Sequence, residues 1–405
     1  MSQSVIYAAA SAPAAPIVSV PVADACCDLL ELFAGVSDGR VGPGRDHPVA
    51  AVLALAAAAV VAGMKGYTAI TGWVADVPPA ILADVYLRSG AAAAPPPSKT
   101  TIWRVLTDAD AGAFDVAVGT WLMNLAGLTT PAAAGEEDRP PVLMQVRLDG
   151  KAIRGAKDAA GNQVRLLAAL AGPDAASSVI AAQAEVGKKT NEVPMATVVL
   201  GQIDLANTIV TADALHTVKA TANHIHEHGG EFVFPVKENR RTLFDALDAL
   251  PWGQVPIAHA ATDKGHGRIT TRTIQVLPAP QDLPFPHVSQ VFLIERHVRD
   301  LRGQPVSAVA ALGVASPAPD QASPADLAGY VREQWSIESL HWLRDTLYQE
   351  DKSKVRTRNG PRVMAALRNL AIGALRMAGR TDVTEATRWA GRSMDRPFSI
   401  LGLTS

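Results

Sequence analysis

The sequence predicts an α/β fold with a helical N-terminal region, a sheet-centred core, and a β-rich insertion that interrupts the core before its last helices. Three observations predict it. Residues 24–128 carry apolar side chains at helical spacing, with Pro or Ser at several element starts. From residue 142, short runs of Val, Ile and Leu alternate with helical segments, as strands and crossover helices do. Between 251 and 323, two stretches of period-two alternation meet at a Pro-rich turn.

Residues 1–23 are rich in Ala, Pro and Ser and contain no Lys or Arg, so the positive segment of a secretory signal is missing and a disordered tail is expected. Helices are expected at Asp24–Ala34, Pro48–Met64, Tyr67–Val74, Pro79–Arg88, Ser98–Thr107 and Ala111–Ala126. The apolar run Val49–Met64 is 16 residues of mostly Ala, too short to span a bilayer, and reads as a buried helix. Ser98 caps a start that leaves Lys99 and Arg104 exposed, which makes the region 24–128 a candidate DNA-end-binding domain; a capped helix in a bundle is the blander alternative. Thr129–Pro141, of Ala, Pro, Gly and acids, is the main linker.

The core begins with strands at Val142–Leu148, Arg165–Ala171 and Val179–Val186. A helix (Met195–Gln202), a strand (Ile209–Ala212), a helix (Thr217–His228), a strand (Glu231–Val236) and the helix Arg240–Leu250 follow. That order matches a ribonuclease-H-like sheet, and residues 142–250 form its first part. Ala258–Gln275 and His287–Val298 are the strands of the insertion, 251–323, joined through a turn at 278–286. Residues 324–405 complete the core with helices. Ser323-Pro324 caps the start of one continuous helix that carries Tyr330–Lys352, Asn359-Gly360-Pro361 starts another that runs to Met377, Val383–Gly391 is short, and Pro397–Leu403 tucks back on the core.

The two cysteines, Cys26 and Cys27, are adjacent and build neither a disulfide framework nor a zinc finger, which suits a reducing compartment. A net charge of −2 hides an uneven distribution: Lys352–Arg380 carries eight basic residues and no acid, whereas residues 1–140 carry seven basic and thirteen acidic residues. The two ends are therefore expected to face different partners.

The helix at Tyr330–Lys352 places Leu340, Leu343 and Leu347 on one side and Gln334, Glu338, His341, Trp342 and Asp345 on the other. Upstream, LMQVRLDGKAIRG and TIVTADALHT put Asp149 and Asp213 at strand ends. Chemistry in open α/β sheets collects at such ends, so three carboxylates arriving this way could converge on divalent metal ions.

LDGKAIRG, KKTNEVP, TADALHT, PVKENRRTL, GHGR and WSIESLHWLRDTLYQED, in that order, resemble the DDE transposases of bacterial insertion sequences, in particular the ISAs-type group related to the IS-four class. The resemblance runs from about residue 26 to the C-terminus. It implies a ribonuclease-H-like core with Asp149, Asp213 and Glu338 as catalytic and metal-binding residues, and metal-dependent cleavage at transposon ends followed by strand transfer. The implied cofactor is Mg²⁺, with Mn²⁺ as an alternative; the implied partners are double-stranded DNA, as transposon ends and target, and a second copy in a synaptic homodimer. A cytoplasmic, nucleoid-associated location without membrane contact goes with these. The chain departs from the IS-four Tyr-Arg-Glu-Lys spacing: Tyr330 is near its place, but Gln334 stands where the Arg is expected and Asp345 where the Lys is. The nearest upstream Arg is Arg332, six residues before Glu338, and those cations' roles would pass to Arg344, Lys352 or Lys354, or be absent.

Phosphodiester cleavage sets an anionic nucleophile against an anionic target, and two metal ions about 3.5–4 Å apart relieve the repulsion and activate the nucleophile. In this scheme Asp149 bridges the metals while Asp213 and Glu338 complete one site each. Lys151 and Arg154 follow Asp149 and could hold phosphates; ordinary exposed cations are an equal alternative. His216 could orient Asp213 or touch DNA. Lys189 and Lys237, with Asn191, Glu192 and Asn239, lie in motifs expected near the site. Trp335 and Trp342 could stack on a displaced base or merely wall the helix, and Arg356 and Arg358 extend the basic segment toward DNA. His224, His226 and His228 alternate, but on a helix His226 parts from the other two, so no metal face follows. GHGR lacks the length and the Lys-Ser/Thr of a phosphate loop, and no nucleophile elbow supports a serine triad. Two alternatives stay open: a DNA-binding relative, inactive or domesticated, that no longer cuts, and a ribonuclease-H-like nuclease without end specificity.

Overall fold

The computed structural model describes residues 28–42, 45–128, 143–157, 161–187, 192–265 and 267–404. The expected tail 1–23, the linker, both cysteines and Lys189 lie outside them. Six helices come first: α1 (Leu29–Ala34), α2 (Val49–Val61), α3 (Tyr67–Ala75), α4 (Pro79–Arg88), α5 (Lys99–Asp108) and α6 (Ala111–Leu125). Every residue of α2 is buried, as its unbroken apolar sequence requires. Ser98 caps α5 by accepting the Thr101 N–H at 3.2 Å. Arg104 is committed within the fold, its guanidinium donating to the Val41 carbonyl at 2.6 Å.

The core follows as β1 (Met144–Lys157), β2 (Gln163–Ala171), β3 (Val179–Glu185), α7 (Glu192–Leu200), β4 (Thr208–Thr211), α8 (Lys219–Glu227), β5 (Glu231–Val236) and α9 (Arg241–Asp248). β1, β2 and β3 are an antiparallel meander, and β4 and β5 add in parallel on the other side of β1. The insertion is four strands, β6 (His259–Gly265), β7 (Arg268–Pro278), β8 (Gln290–Asp300) and β9 (Pro305–Ala315). The segment expected as one strand, Ala258–Gln275, is a hairpin, because Gly267 with φ +72° lets the chain reverse. β9 pairs with β5, so the insertion prolongs the core into one nine-stranded sheet of order β3-β2-β1-β4-β5-β9-β8-β7-β6.

The chain closes with α10 (Pro324–Glu333), α11 (Ser336–Thr346), α12 (Gly360–Met377), α13 (Val383–Ala390) and α14 (Asp395–Ile400). The expected continuous helix over Tyr330–Lys352 is interrupted at Gln334-Trp335 and stops at Thr346, with a separate 3-10 turn at Glu350–Lys352. Tertiary bonds made by the Gln334 side chain, described below, coincide with the interruption. α12 runs through the middle of the molecule with Val363, Leu367, Leu370 and Ala374 buried, and joins the first six helices and the sheet in one apolar core. None of the described helices is long and apolar enough to cross a membrane.

The basic C-terminal segment and the acidic N-terminal region, expected to face different partners, face each other. Arg358 pairs with Asp108 at 2.5 Å and Arg362 with Asp115 at 2.5 Å. Arg368, one of the eight cations of the basic segment, is fully buried against Glu350 at 2.7 Å. Arg358 stays largely exposed, but the Arg362–Asp115 and Arg368–Glu350 pairs lie in the interior, where opposite charges must pair.

Candidate active site

β1 and β4 run parallel with Arg147 beside Thr211. Two residues further along the chain stand Asp149, still on β1, and Asp213, past the end of β4. Asp149 was expected at the end of its strand; instead β1 continues to Lys157, paired there with β2 alone, so Asp149 sits where β1 has lost its β4 neighbour. Asp213 lies just past β4, in a turn that its carboxylate caps by accepting the Leu215 N–H at 2.9 Å.

Glu338 arrives on the first turn of α11. Its helix is tied to both strands by Gln334, whose amide donates to the Leu148 carbonyl at 2.9 Å and whose amide oxygen accepts the Thr211 hydroxyl at 2.5 Å. Gln145 donates to Thr211 at 2.9 Å and to the Tyr330 carbonyl at 2.8 Å, and Arg147 donates to Gln145 at 3.0 Å. This polar network touches the residue before Asp149, the residue two before Asp213 and the residue four before Glu338. A satisfied network in the interior fixes geometry as apolar packing cannot.

Asp149, Asp213 and Glu338 line one cleft of about 750 Å³, together with Lys237, Arg332 and Trp335. One turn after Glu338, His341 is buried and its Nδ1 lies 3.2 Å from Asp149 Oδ2. Burial lowers the His341 pKa against the pull of the Asp149 hydrogen bond. A fourth acid, Glu192 on α7, abuts Gly150: a Cβ there would stand 2.5 Å from Glu192 Oε1. Burial first, then the charges of Asp149 and Asp213, raise the Glu192 pKa. Glu338 is raised by burial and then by Asp149. Like charges thus accumulate in the cleft, and hard oxygen donors are the ligands that divalent cations take. As placed, no three His, Cys, Asp or Glu side chains among the described residues form a metal-holding group.

Several expected DNA contacts are differently employed. Lys151 is nearly buried and bonded to Asp345 at 2.6 Å, so its charge is neutralised within the protein instead of meeting a phosphate. Arg344 is fully buried and held by Glu350 at 3.0 and 2.9 Å, because it follows Leu340 by one turn on the inward face of α11. His216 is 1% exposed and turned from solvent; burial lowers its pKa. Arg358 is bound to Asp108 as above. Arg356 donates to the Gly155 carbonyl at 2.9 Å yet remains exposed, and Arg154 is exposed beside Asp351 at 3.4 Å. Lys237, Lys352 and Lys354 are exposed. Trp335 and Trp342, each 62% exposed, sit two turns apart on either side of Glu338.

Glu192 lies in a motif expected near the site, and Gln334 and His341 share the helix face of Glu338, but the sequence assigns none of the three a role at the acids. His341 follows Glu338 at helical i, i+3 spacing, which was a usable signal. Gln334 and Glu192 reach the site through long-range packing.

Residues 144–373 match the family model described as Transposase DDE domain, and residues 30–122 match the one described as DDE_Tnp_1-associated. The chain is 30% identical over 285 residues to the "Uncharacterized protein in dhlA 3'region" of Xanthobacter autotrophicus, covering 65% of this chain and 86% of that one. It is 25% identical over 248 residues to the "H repeat-associated putative transposase YhhI" of Escherichia coli (strain K12), covering 57% of this chain and 63% of that one. Among solved structures, a piggyBac transposase synaptic complex with hairpin DNA aligns with TM-score 0.43 and 9% identity over 92% of this chain and 80% of that one.

Proposed function

The chain belongs to the Transposase DDE domain family, and from that premise we propose that it binds the terminal inverted repeats of an insertion sequence, cleaves DNA there and transfers the strands to a target. Its six collinear motifs support a place in the ISAs-type group related to the IS-four class. The reading is carried by one observation: Asp149 from β1, Asp213 after β4 and Glu338 from α11 line a common cleft. Three elements far apart in sequence deliver three carboxylates to one place.

These three acids would hold divalent metal, Mg²⁺ or Mn²⁺, which when bound neutralises phosphate charge and activates the attacking hydroxyl or water. The chain's own groups do the rest. His341 holds one oxygen of Asp149 and leaves the other free for a ligand. Gln334 sets the distance between the α11 helix and the two strands. Lys237 and Arg332, on the cleft, offer charge to backbone phosphates. The exposed faces of Trp335 and Trp342 offer stacking to an unpaired base, an interaction worth about 1–3 kcal/mol per base. Two chains would pair two ends as a homodimer, in the cytoplasm on the nucleoid.

The test uses the full chain and a duplex that carries the repeats flanking its gene. Metal-dependent nicking at the repeat ends should disappear in Asp149→Asn while duplex binding persists. Unchanged nicking by Asp149→Asn would overturn the assignment; equal nicking of unrelated duplexes would reassign the chain to a nuclease without end specificity.

A further inference from the structure

We propose that Arg296 and Arg272, with Arg332, form an anion site on the insertion wall of the cleft, and that its ligand is a phosphodiester group of the nucleic-acid strand whose neighbouring phosphate meets the three acids. The proposal deepens the reading above and rests on it. Arg272 on β7 and Arg296 on β8 are directly opposed in register, and both line the cleft that holds Asp149, Asp213 and Glu338. Like charges directly opposite on neighbouring strands destabilise a sheet unless something answers them. The same row continues with Ala261 on β6 and Val309 on β9, and the acid that β6 supplies, Asp263, sits diagonal to Arg272 and not beside Arg296.

One carboxylate serves the group. Asp263 lies 2.7 Å from Arg272 and 3.3 Å from Arg332, and Arg296 has no ion-pair or hydrogen-bond partner among the described residues. Three guanidinium groups against one carboxylate leave an excess of positive charge on this wall, facing the acids across the cavity. An acidic small molecule would be drawn to one wall and repelled by the other. A polyanion with charges repeating along its length satisfies both, one phosphate on the arginine forks and the next at the acids through their cations.

Binding is read on the full chain with a short DNA duplex of arbitrary sequence, without divalent metal, across a salt series. Arg296→Gln should bind roughly three- to tenfold more weakly and reduce the slope of log affinity against log salt by about one. Its thermal midpoint should stay level or rise, because the repulsion against Arg272 is removed. Arg388→Gln, an exposed cation on α13, should change neither. Wild-type affinity and slope in Arg296→Gln, or an affinity loss accompanied by a lowered midpoint, would overturn the proposal while leaving the acids' role intact. If the wild-type chain binds no duplex at all, neither the arbitrary one nor one carrying the repeats that flank its gene, both readings fall.

Discussion

The Gln334 side chain donates to the Leu148 carbonyl at 2.9 Å, and so couples the helix that carries Glu338 to the strand that carries Asp149. Its other end receives the Thr211 hydroxyl from β4. Gln334→Ala removes both bonds, taking the side-chain donor from the Leu148 carbonyl and the acceptor from the Thr211 hydroxyl, which keeps only the Gln145 amide, at a cost of about 1–3 kcal/mol. Catalytic groups displaced by about 1 Å lose on the order of 100-fold in rate, so metal-dependent nicking should fall far more than the folded fraction does. Gln334→Glu can still accept from Thr211 but sets an anion against the Leu148 carbonyl, and should be no better than Ala. Nicking that tracks only the folded fraction, measured by near-ultraviolet circular dichroism, would show that Gln334 merely supports the fold.

Much of this arrangement was legible in the sequence, and the limits have physical causes. Asp149, Asp213 and Glu338 could be picked out because each follows a short periodic segment, and periodicity is a local property. The pairing of β5 with β9, which merges the insertion with the core, is a contact between residues 233–236 and 312–315 that no local pattern encodes. β9 escaped notice because Pro305–Val309 are exposed on both faces and its Ala-rich sequence carries no alternation. Arg344 meets Glu350 only six residues on, where the expected continuous helix has stopped, whereas Lys151 is met by Asp345 from 194 residues away, which its local sequence does not show.

Lys151 offers a direct check on that last point. Because its charge is spent on Asp345, Lys151→Gln should leave the salt slope of DNA binding unchanged. It should lower stability by about 1–2 kcal/mol, less than a fully buried pair because Asp345 is partly exposed to solvent. A slope reduced by about one at unchanged stability would return Lys151 to the list of phosphate ligands.

Glu350 should govern acid unfolding. Burial opposes its ionised form, but the Arg344 and Arg368 guanidinium groups outweigh burial and hold its pKa at about 2, below the ordinary 4.5. A carboxylate with a lowered folded-state pKa contributes stability that is fully present above its unfolded pKa and is lost as pH falls toward the folded one. Wild-type stability should therefore decline between pH 4.5 and about 2. Glu350→Gln, which leaves two buried arginines uncompensated, should be about 3–5 kcal/mol less stable at neutral pH and should show a shallower decline over that window. Urea unfolding at several pH values reads both quantities; parallel curves for the two proteins would refute the assignment.

Gly119 tests whether the N-terminal helices are fixed to the sheet or merely attached. α6 lies against the edge strand β3 so closely that a Cβ at Gly119 would meet the Ala181 carbonyl oxygen and carbon of the strand backbone. Neither backbone can yield without moving the element it belongs to. In an open helical site, Gly→Ala stabilises by up to about 1 kcal/mol through helix propensity, and Gly72 on α3, whose Cβ would meet nothing within 4 Å, provides that reference. Gly119→Ala should reverse the sign and destabilise by about 1–3 kcal/mol, the usual cost of overpacking. Because α6 and α12 share the core with β3, the loss should appear in one cooperative transition that includes the sheet. Gain of stability in both variants would mean that α6 stands off the strand, and with it that the helices up to residue 125 fold independently of the acid-bearing core.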